Sequence, residues 1–296
     1  MRALYKAIVI IAVLALLVAI GVGVGRWMGT SSTPIADDDC PAIEVISTPG
    51  TGESNSNDDP LTPAANPGAL LLNVTKPLQD SYTPEQVKVY TVPYVAQLRN
   101  PKAQHERTYD ESQAEGRARL EEEMRATNAV CPNTRFILMG FSQGAVITGD
   151  VAAAIGQNKG AVAPDRVAGV AVVADPRRVP DQGQQPSVPV AGVGLEVALL
   201  PHSPAVQQLM PGTAMRGARE GGFGEINDRV QEICAPNDIV CDAPPNIDGV
   251  ARALDYIGSD QVHGAYGGNP AVFPGTTTTQ WLIDWSRGLI DQALAQ

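Results

Sequence analysis

The chain has 296 residues, and 44% of them are hydrophobic, which is enough to form the core of one large domain. Its 32 acidic residues exceed its 21 basic ones, giving a formal net charge of −11. This charge argues against a nucleic-acid partner, because phosphate binding needs a basic face.

The N-terminus begins with a long apolar segment. Residues 7–25 contain no charged or strongly polar side chain, and they follow Arg2 and Lys6. As a helix they would rise about 28 Å, close to the hydrocarbon thickness of a bilayer. The preceding positive charges favour a cytoplasmic N-terminus with the rest of the chain outside. We interpret residues 1–25 as a single-pass signal anchor in the cell membrane; the alternative is a cleaved signal peptide and a secreted protein.

Residues 26–39 are polar, and we interpret them as a tether that leads to a folded domain over 40–296. Strands are predicted at 42–47, 87–92, 135–139, 167–174 and 229–234. Helices are predicted at 112–130, 143–155, 247–257 and 277–293. Ser112 and Glu115 fit a capping box at the start of the first helix. The stretch 181–224 is rich in proline and glycine, and its pattern favours no particular element.

The order of these elements indicates the fold class. The segment VAGVAVVA at 167–174 has no polar alternation, which is typical of parallel strands covered by helices on both faces. Strands that alternate with helices predict an α/β layered domain with a central, mostly parallel sheet.

Export makes the four cysteines candidates for disulfides, with three possible pairings. Cys234 and Cys241 have six residues between them and can close a tight local loop, which leaves Cys40 for Cys131. A metal site is disfavoured, because the chain has no C-x-x-C motif and its three histidines do not cluster near the cysteines.

The segment FILMGFSQGAVI at 136–147 contains the motif G-x-S-x-G, with Ser142 between a predicted strand and a predicted helix. This context is the one required of a nucleophile elbow, a sharp turn that exposes a reactive serine at the edge of a sheet. The N-terminus of the following helix offers unpaired N–H groups, so the N–H of Gln143 is a candidate oxyanion donor. The alternative is an ordinary turn in which the serine caps the helix.

A nucleophilic serine needs a base, and only His202 and His263 follow Ser142 in the chain order expected of this class. Two triads are therefore possible. One pairs His202 with Asp175, which directly follows a predicted strand. The other pairs His263 with Asp238, which lies between two cysteines that can hold it rigidly. We prefer the second triad, and the first remains open on these grounds.

Several stretches together carry a resemblance to a known family: GFSQGAVI at 140–147, ICAPNDIVC at 233–241, QVHGAY at 261–266, GGFG at 221–224 and ISTPGTGES at 46–54. From about Cys40 onward the chain resembles the cutinase family of serine esterases, in the α/β-hydrolase superfamily. It is most similar to the membrane-anchored cutinase-like proteins of actinobacteria that carry mycolic acids. The resemblance implies a three-layer αβα fold after the N-terminal transmembrane helix.

The resemblance also implies roles for particular residues. Ser142 matches the family's nucleophile, Asp238 its acid and His263 its base. Thr51 matches a second oxyanion donor, beside the N–H of Gln143. The implied disulfides are Cys40–Cys131 and Cys234–Cys241.

By resemblance, the expected reaction is hydrolysis of an ester or thioester through an acyl-enzyme, with no cofactor and no metal. Anchored members of the family are associated with lipase, phospholipase A and thioesterase activities and with mycolic-acid envelope lipids. We therefore expect a lipid or acyl-ester substrate, a monomeric protein and membrane contact through the N-terminal helix. An acyltransferase with the same triad is an alternative. A non-catalytic tethered binding module is disfavoured, because every triad candidate is present.

Overall fold

The computed structural model describes residues 40–247, 249 and 262–296. The anchor and the tether predicted for residues 1–39 lie outside this part of the chain and stay predictions. Nearly all of the helix predicted at 247–257 lies outside it as well. No helix of the described part is both long and apolar enough to cross a bilayer.

A single five-stranded sheet forms the centre of the described part. Its strands are β1 (Ile43–Thr48), β2 (Val87–Thr91), β3 (Arg135–Phe141), β4 (Val167–Val173) and β5 (Val230–Ile233). The order across the sheet is β2-β1-β3-β4-β5, and every neighbouring pair is parallel. Every residue of β1 and β4 is buried, as expected of parallel strands that are covered on both faces. The prediction of an α/β domain with a central parallel sheet is confirmed.

The described residues form six α-helices around the sheet: α1 (Leu72–Ser81), α2 (Tyr109–Val130), α3 (Gln143–Gly156), α4 (Leu195–Ala198), α5 (Ser203–Leu209) and α6 (Thr278–Leu294). The sequence predicted α2, α3 and α6. It did not predict α1, which contains Pro77 in its interior, where proline normally ends a helix. The short helices α4 and α5 fall in the stretch 181–224, where tertiary packing decides the conformation.

Side chains of each strand alternate between two hydrophobic cores. Val45 of β1 packs in a core that also contains Val74 of α1 and Leu282 of α6. Ile46, the next residue, packs in a second core with Leu120 of α2 and residues of α3. Two helices therefore cover each face of the sheet, which gives three layers.

The start of α2 differs from the prediction. The N-cap is Thr108, four residues before the predicted cap Ser112, and Glu111 is its reciprocal partner. Ser112, predicted as the cap, lies inside the helix, and its hydroxyl contacts Gln97 and Gln143 instead. Both segments have the T/S-x-x-E pattern, and these tertiary contacts favour the earlier one.

Candidate active site

Ser142 lies at the carboxyl edge of the sheet, between β3 and α3. Its backbone has φ +55° and ψ −117°, a conformation that residues other than glycine rarely adopt. Its N–H donates to the carbonyl of Val173 at the end of the neighbouring strand β4, at 2.9 Å. Such strain costs on the order of 1–3 kcal/mol and persists where the surrounding structure imposes it, which often marks a functional site.

Each of the two glycines in the motif is required for a different steric reason. A Cβ atom on Gly144 would lie 2.0 Å from the carbonyl oxygen of Thr48, where β1 ends. A Cβ atom on Gly140 would lie 2.3 Å from the carbonyl oxygen of Gly144. Both distances are too short for a real Cβ contact. Gly144 therefore lets the end of β1 approach the first turn of α3, and Gly140 lets the end of β3 approach that same turn.

His263 faces Ser142 from a 3₁₀ turn at His263–Ala265, before α6. Its Nε2 lies 2.8 Å from the Oγ of Ser142, within hydrogen-bond distance. The ring of Phe141 stacks on the imidazole at 5.3 Å between centroids, with 21° between the planes. The aromatic ring thus fixes the plane of the imidazole beside the serine.

Asp238 completes this chain of hydrogen bonds from the loop after β5. Its carboxylate oxygens lie 3.0 and 3.1 Å from the Nδ1 of His263. The hydroxyl of Tyr266 donates to Oδ2 at 2.7 Å, and the N–H of Val240 donates to Oδ1 at 3.0 Å. Tyr266 in turn accepts the N–H of Ala235 at 2.9 Å. These contacts fix the carboxylate on both oxygens.

The Asp238 side chain is fully buried, and burial by itself acts to raise the pKa of its carboxyl. The hydrogen bond from His263 and the charge of that imidazole lower the pKa, and the hydrogen bonds from Tyr266 and Val240 add to this effect. The net result is a pKa below the ordinary value for aspartate. Asp238 is therefore charged and able to stabilise a protonated imidazole.

Asp175 and His202, the alternative acid and base, have other interaction partners. Asp175 is buried and forms an ion pair with Arg219. The Nε2 of His202 lies 3.1 Å from the carbonyl oxygen of Ile247. Among the described residues, neither side chain has a hydrogen bond to Ser142, so the structure does not bring the first possible triad, Ser142 with Asp175 and His202, together.

Gln143, the residue after the serine, is held by its side chain. Its Oε1 accepts the hydroxyl of Ser112 at 2.9 Å, and its Nε2 donates to the carbonyl of Gln97 at 3.0 Å. As the first residue of α3, Gln143 has a backbone N–H with no acceptor within the helix. Ser112, which the sequence suggested only as a helix cap, thus helps to hold the side chain of Gln143.

Thr51 lies exposed in the turn that follows β1. This turn is fixed by Glu53, whose carboxylate accepts the N–H groups of Gly50 and Leu70 at 2.8 and 2.9 Å. Gly50 packs closely against Phe141, since a Cβ atom there would lie 2.8 Å from its ring. The turn therefore lies next to the motif, and the role of Thr51 as an oxyanion donor stays a prediction.

Burial raises the pKa of the Glu53 carboxyl, although its two backbone hydrogen bonds and the charge of His263 oppose this shift. The sequence drew attention to the stretch that contains Glu53 but not to this residue. Tyr266 was likewise part of the segment QVHGAY without a role of its own. Glu53 and Tyr266 act through backbone and side-chain contacts that a local sequence pattern does not predict.

Two disulfides are present, Cys40–Cys131 and Cys234–Cys241. The first joins the start of β1 to the end of α2. The second closes the loop that carries Asp238, and the Sγ of Cys241 lies 3.5 Å from the Oδ2 of Asp238.

We expect the two disulfides to differ in what they support. By loop-closure entropy, the short Cys234–Cys241 loop stabilises the fold by about 2.5 kcal/mol and the Cys40–Cys131 loop by about 4.6 kcal/mol. Serine replacement of Cys234 and Cys241 should therefore cause a large fractional loss of esterase activity and only a small loss in the free energy of unfolding. Replacement of Cys40 and Cys131 should do the opposite. Denaturant unfolding and ester hydrolysis check this, and proportional losses in both pairs would contradict it.

No group of three or more histidine, cysteine or acidic side chains in the described part is arranged to hold a metal ion. The candidate site brings together a strained serine, a histidine and a buried carboxylate at the carboxyl edge of a parallel sheet. This arrangement is that of the α/β-hydrolase class.

Comparison with known proteins identifies the family within that class. The cutinase family matches residues 39–263 of the chain. The chain is 50% identical over 305 residues to the carboxylesterase Culp6 homolog of Corynebacterium glutamicum, covering 97% of this chain and 99% of that protein. The chain belongs to the cutinase family, as its sequence motifs indicated, and it is a carboxylic ester hydrolase.

Solved structures agree with this fold. A cutinase-like protein from Cryptococcus sp. is 20% identical with a TM-score of 0.50, and the match covers 86% of this chain and 98% of that one. The catalytic core domain of acetyl xylan esterase from Trichoderma reesei is 15% identical with a TM-score of 0.51, covering 86% and 99%. At such low identity, the likeness concerns the fold alone.

Proposed function

We propose that the chain is a serine esterase that hydrolyses acyl esters of lipids in the cell envelope, with Ser142 as its nucleophile. The observation that carries this proposal is the hydrogen-bond chain from Ser142 through His263 to Asp238. Asp238 supports His263 and does not itself contact the substrate. The carboxylesterase relative supports the reaction class.

In the first half of the reaction, Nε2 of His263 takes the proton of Ser142 as Oγ attacks the ester carbonyl. Asp238 accepts a hydrogen bond from Nδ1 and stabilises the imidazolium. The backbone N–H of Gln143 and the hydroxyl of Thr51 bind the oxyanion. The alcohol leaves with the proton from His263, and an acyl-serine ester remains.

In the second half, water enters where the alcohol left. His263 removes a proton from this water as its oxygen attacks the acyl-serine carbonyl. Collapse of the second tetrahedral intermediate breaks the bond to Oγ and returns the proton to Ser142. The products are a carboxylic acid and the free enzyme, and an alcohol in place of water would give acyl transfer instead.

Exposed apolar side chains between α4 and the end of α5 support a lipid substrate. Buried apolar residues between 198 and 247 form a third hydrophobic cluster, separate from the two cores of the sheet. It includes Ile239, the neighbour of Asp238. Leu200 and Leu209 in the same region are 47% and 51% exposed. These exposed leucines suit contact with an acyl chain or a lipid surface.

The location of the substrate follows from the predicted anchor. We propose that residues 1–25 hold the domain on the outer side of the cell membrane, within reach of envelope lipids. Acyl esters of mycolic acids are included among the proposed substrates, on the resemblance described above.

Hydrolysis of 4-nitrophenyl esters of acetate, butyrate, octanoate and palmitate tests the proposal. We expect a higher kcat/KM for octanoate and palmitate than for acetate. Ser142→Ala should lower kcat by at least about 10³-fold, because the nucleophile is lost. His202→Ala is the matched control and should keep wild-type activity. A preference for acetate would contradict a lipid substrate, and an active Ser142→Ala variant would contradict the nucleophile.

A further inference from the structure

Arg178 is a buried cation in contact with the loop that carries Asp238. The residue is 1% exposed, and none of the ion pairs among the described residues includes it. Its guanidinium instead donates to three backbone carbonyls, those of Gly192 at 2.8 Å, Val190 at 3.2 Å and Cys241 at 3.3 Å. Burial of a charge is costly, so these carbonyls must replace the water that the guanidinium loses.

The third of these carbonyls belongs to a residue that contacts Asp238 directly. The N–H of Cys241 donates to the backbone carbonyl of Asp238 at 3.1 Å, and its Sγ lies 3.5 Å from Oδ2 of the same residue. The disulfide to Cys234 holds the side chain of Cys241, whereas Arg178 holds its carbonyl. A shift of Cys241 would therefore move Asp238 as well.

A second route from Arg178 to Asp238 runs through the segment 190–192. The N–H of Gly192 donates to Oδ1 of Asp242 at 2.7 Å, and the N–H of Asp242 donates to the backbone carbonyl of Asp238 at 2.6 Å. The approach is close, because a Cβ atom on Gly192 would lie 2.5 Å from Oδ1 of Asp242. Arg178 and Asp242 thus hold this segment and the loop of Asp238 against each other.

We propose that Arg178 is a positioning residue, which holds the loop of Asp238 so that the carboxylate stays within hydrogen-bond distance of His263. The inference rests on the proposed function, because it needs Asp238 to support His263. The guanidinium suits this role, since its five N–H donors in a fixed fork can bind carbonyls from two segments at once.

The geometry of the acid makes its position critical. The carboxylate oxygens of Asp238 lie 3.0 and 3.1 Å from Nδ1 of His263, close to the upper end of good hydrogen-bond distances. A displacement of about 1 Å can cost about 10²-fold in rate, even when its cause lies away from the chemistry. Arg178 would therefore act on the rate through Asp238 without touching the substrate.

The first test is Arg178→Met on the purified full chain, because methionine keeps apolar volume and removes every donor. We expect kcat on 4-nitrophenyl butyrate to fall at least about tenfold, with KM changed less than about twofold, since the acid supports proton transfer and not substrate binding. Arg178→Lys keeps the charge but not the fork, and it should recover part of the lost kcat.

Arg229→Met is the matched control. The guanidinium of Arg229 also donates to two backbone carbonyls, those of Pro164 and Val167, at 2.8 and 2.7 Å. These lie at the start of β4, at the opposite edge of the sheet from Ser142. Arg229→Met should therefore keep the wild-type kcat, and Tm is measured for both methionine variants as a check on folding.

The decisive readout is the coupling between Arg178→Met and Asp238→Asn. If Arg178 acts through Asp238, adding Arg178→Met to Asp238→Asn should change kcat less than about twofold, because the effects of coupled residues do not add. A purely structural role would lower kcat by the same factor in both backgrounds. Full additivity, or a wild-type kcat for Arg178→Met, overturns the proposal.

Asp242→Ala keeps the proposal testable if Arg178→Met does not fold. It removes the acceptors of the Gly192 and Asn237 N–H groups, and it should show the same loss of kcat and the same coupling with Asp238→Asn. Additive losses in this variant would then overturn the proposal. An Asp238→Asn variant with nearly full activity would overturn the proposed triad together with this inference, so the two failures are distinguishable.

Discussion

Asp238→Asn is expected to lower kcat by about 10³- to 10⁴-fold while the protein stays folded. Both oxygens of Asp238 accept hydrogen bonds, from Val240 on one and Tyr266 on the other, and both lie within reach of His263. An asparagine has one acceptor oxygen, so its NH₂ group would face one of these donors. The imidazole would then lose its charged partner and adopt the wrong tautomer.

The loss is measured as kcat on 4-nitrophenyl butyrate, with Tm as a check on folding. Tyr266→Phe is the graded control, because it removes one donor to Asp238 and leaves the carboxylate in place. It should lose much less activity than Asp238→Asn. An asparagine variant that keeps more than a tenth of the wild-type kcat would contradict the role of Asp238.

Arg219→Met is expected to lower the free energy of unfolding by about 3–5 kcal/mol, because it leaves the buried carboxylate of Asp175 without its ion-pair partner. Arg219 is 4% exposed and forms ion pairs with Asp175 and Asp150. Its guanidinium also donates to the carbonyl of Val146 in α3. The network thus joins the end of β4 to α3, the helix that follows Ser142.

A second arginine–aspartate pair provides the control for this prediction. Arg166 pairs with Asp165 at 2.8 Å on the surface, where the side chains are 28% and 67% exposed. Arg166→Met should cost less than about 1 kcal/mol, because water screens an exposed pair. Denaturant unfolding compares the two variants. Equal losses in the free energy of unfolding would show that burial does not determine how much each ion pair contributes to stability.

The sharp turn at Ser142 between β3 and α3 could be predicted because its cause is local. Gly140 and Gly144 are needed where β3 and β1 approach the first turn of α3, and a strand followed at once by a helix marks that point. The buried strands could be predicted as well, since Val and Ala runs such as 167–174 lack polar alternation. The residues alone left both His202 and His263 open as the base. The resemblance to the family motifs then selected His263.

The rest depends on contacts between distant segments. Asp175 follows a strand as a catalytic acid would, yet its partner is Arg219, which lies 44 positions away in a stretch without periodicity. Tyr266 and Ser112 support Asp238 and Gln143 from other elements. Pro77 lies within α1 against the usual rule. Tertiary packing, which no single window of sequence contains, decides all of these.

Labelling with a fluorophosphonate probe tests the central claim most directly, because the probe reacts only with an activated serine. The wild type, Ser142→Ala, His263→Ala and His202→Ala are compared at matched concentrations. The wild type and His202→Ala should label, and the other two should not. Failure of the wild type to label, or equal labelling of His263→Ala, would contradict Ser142 as a nucleophile activated by His263.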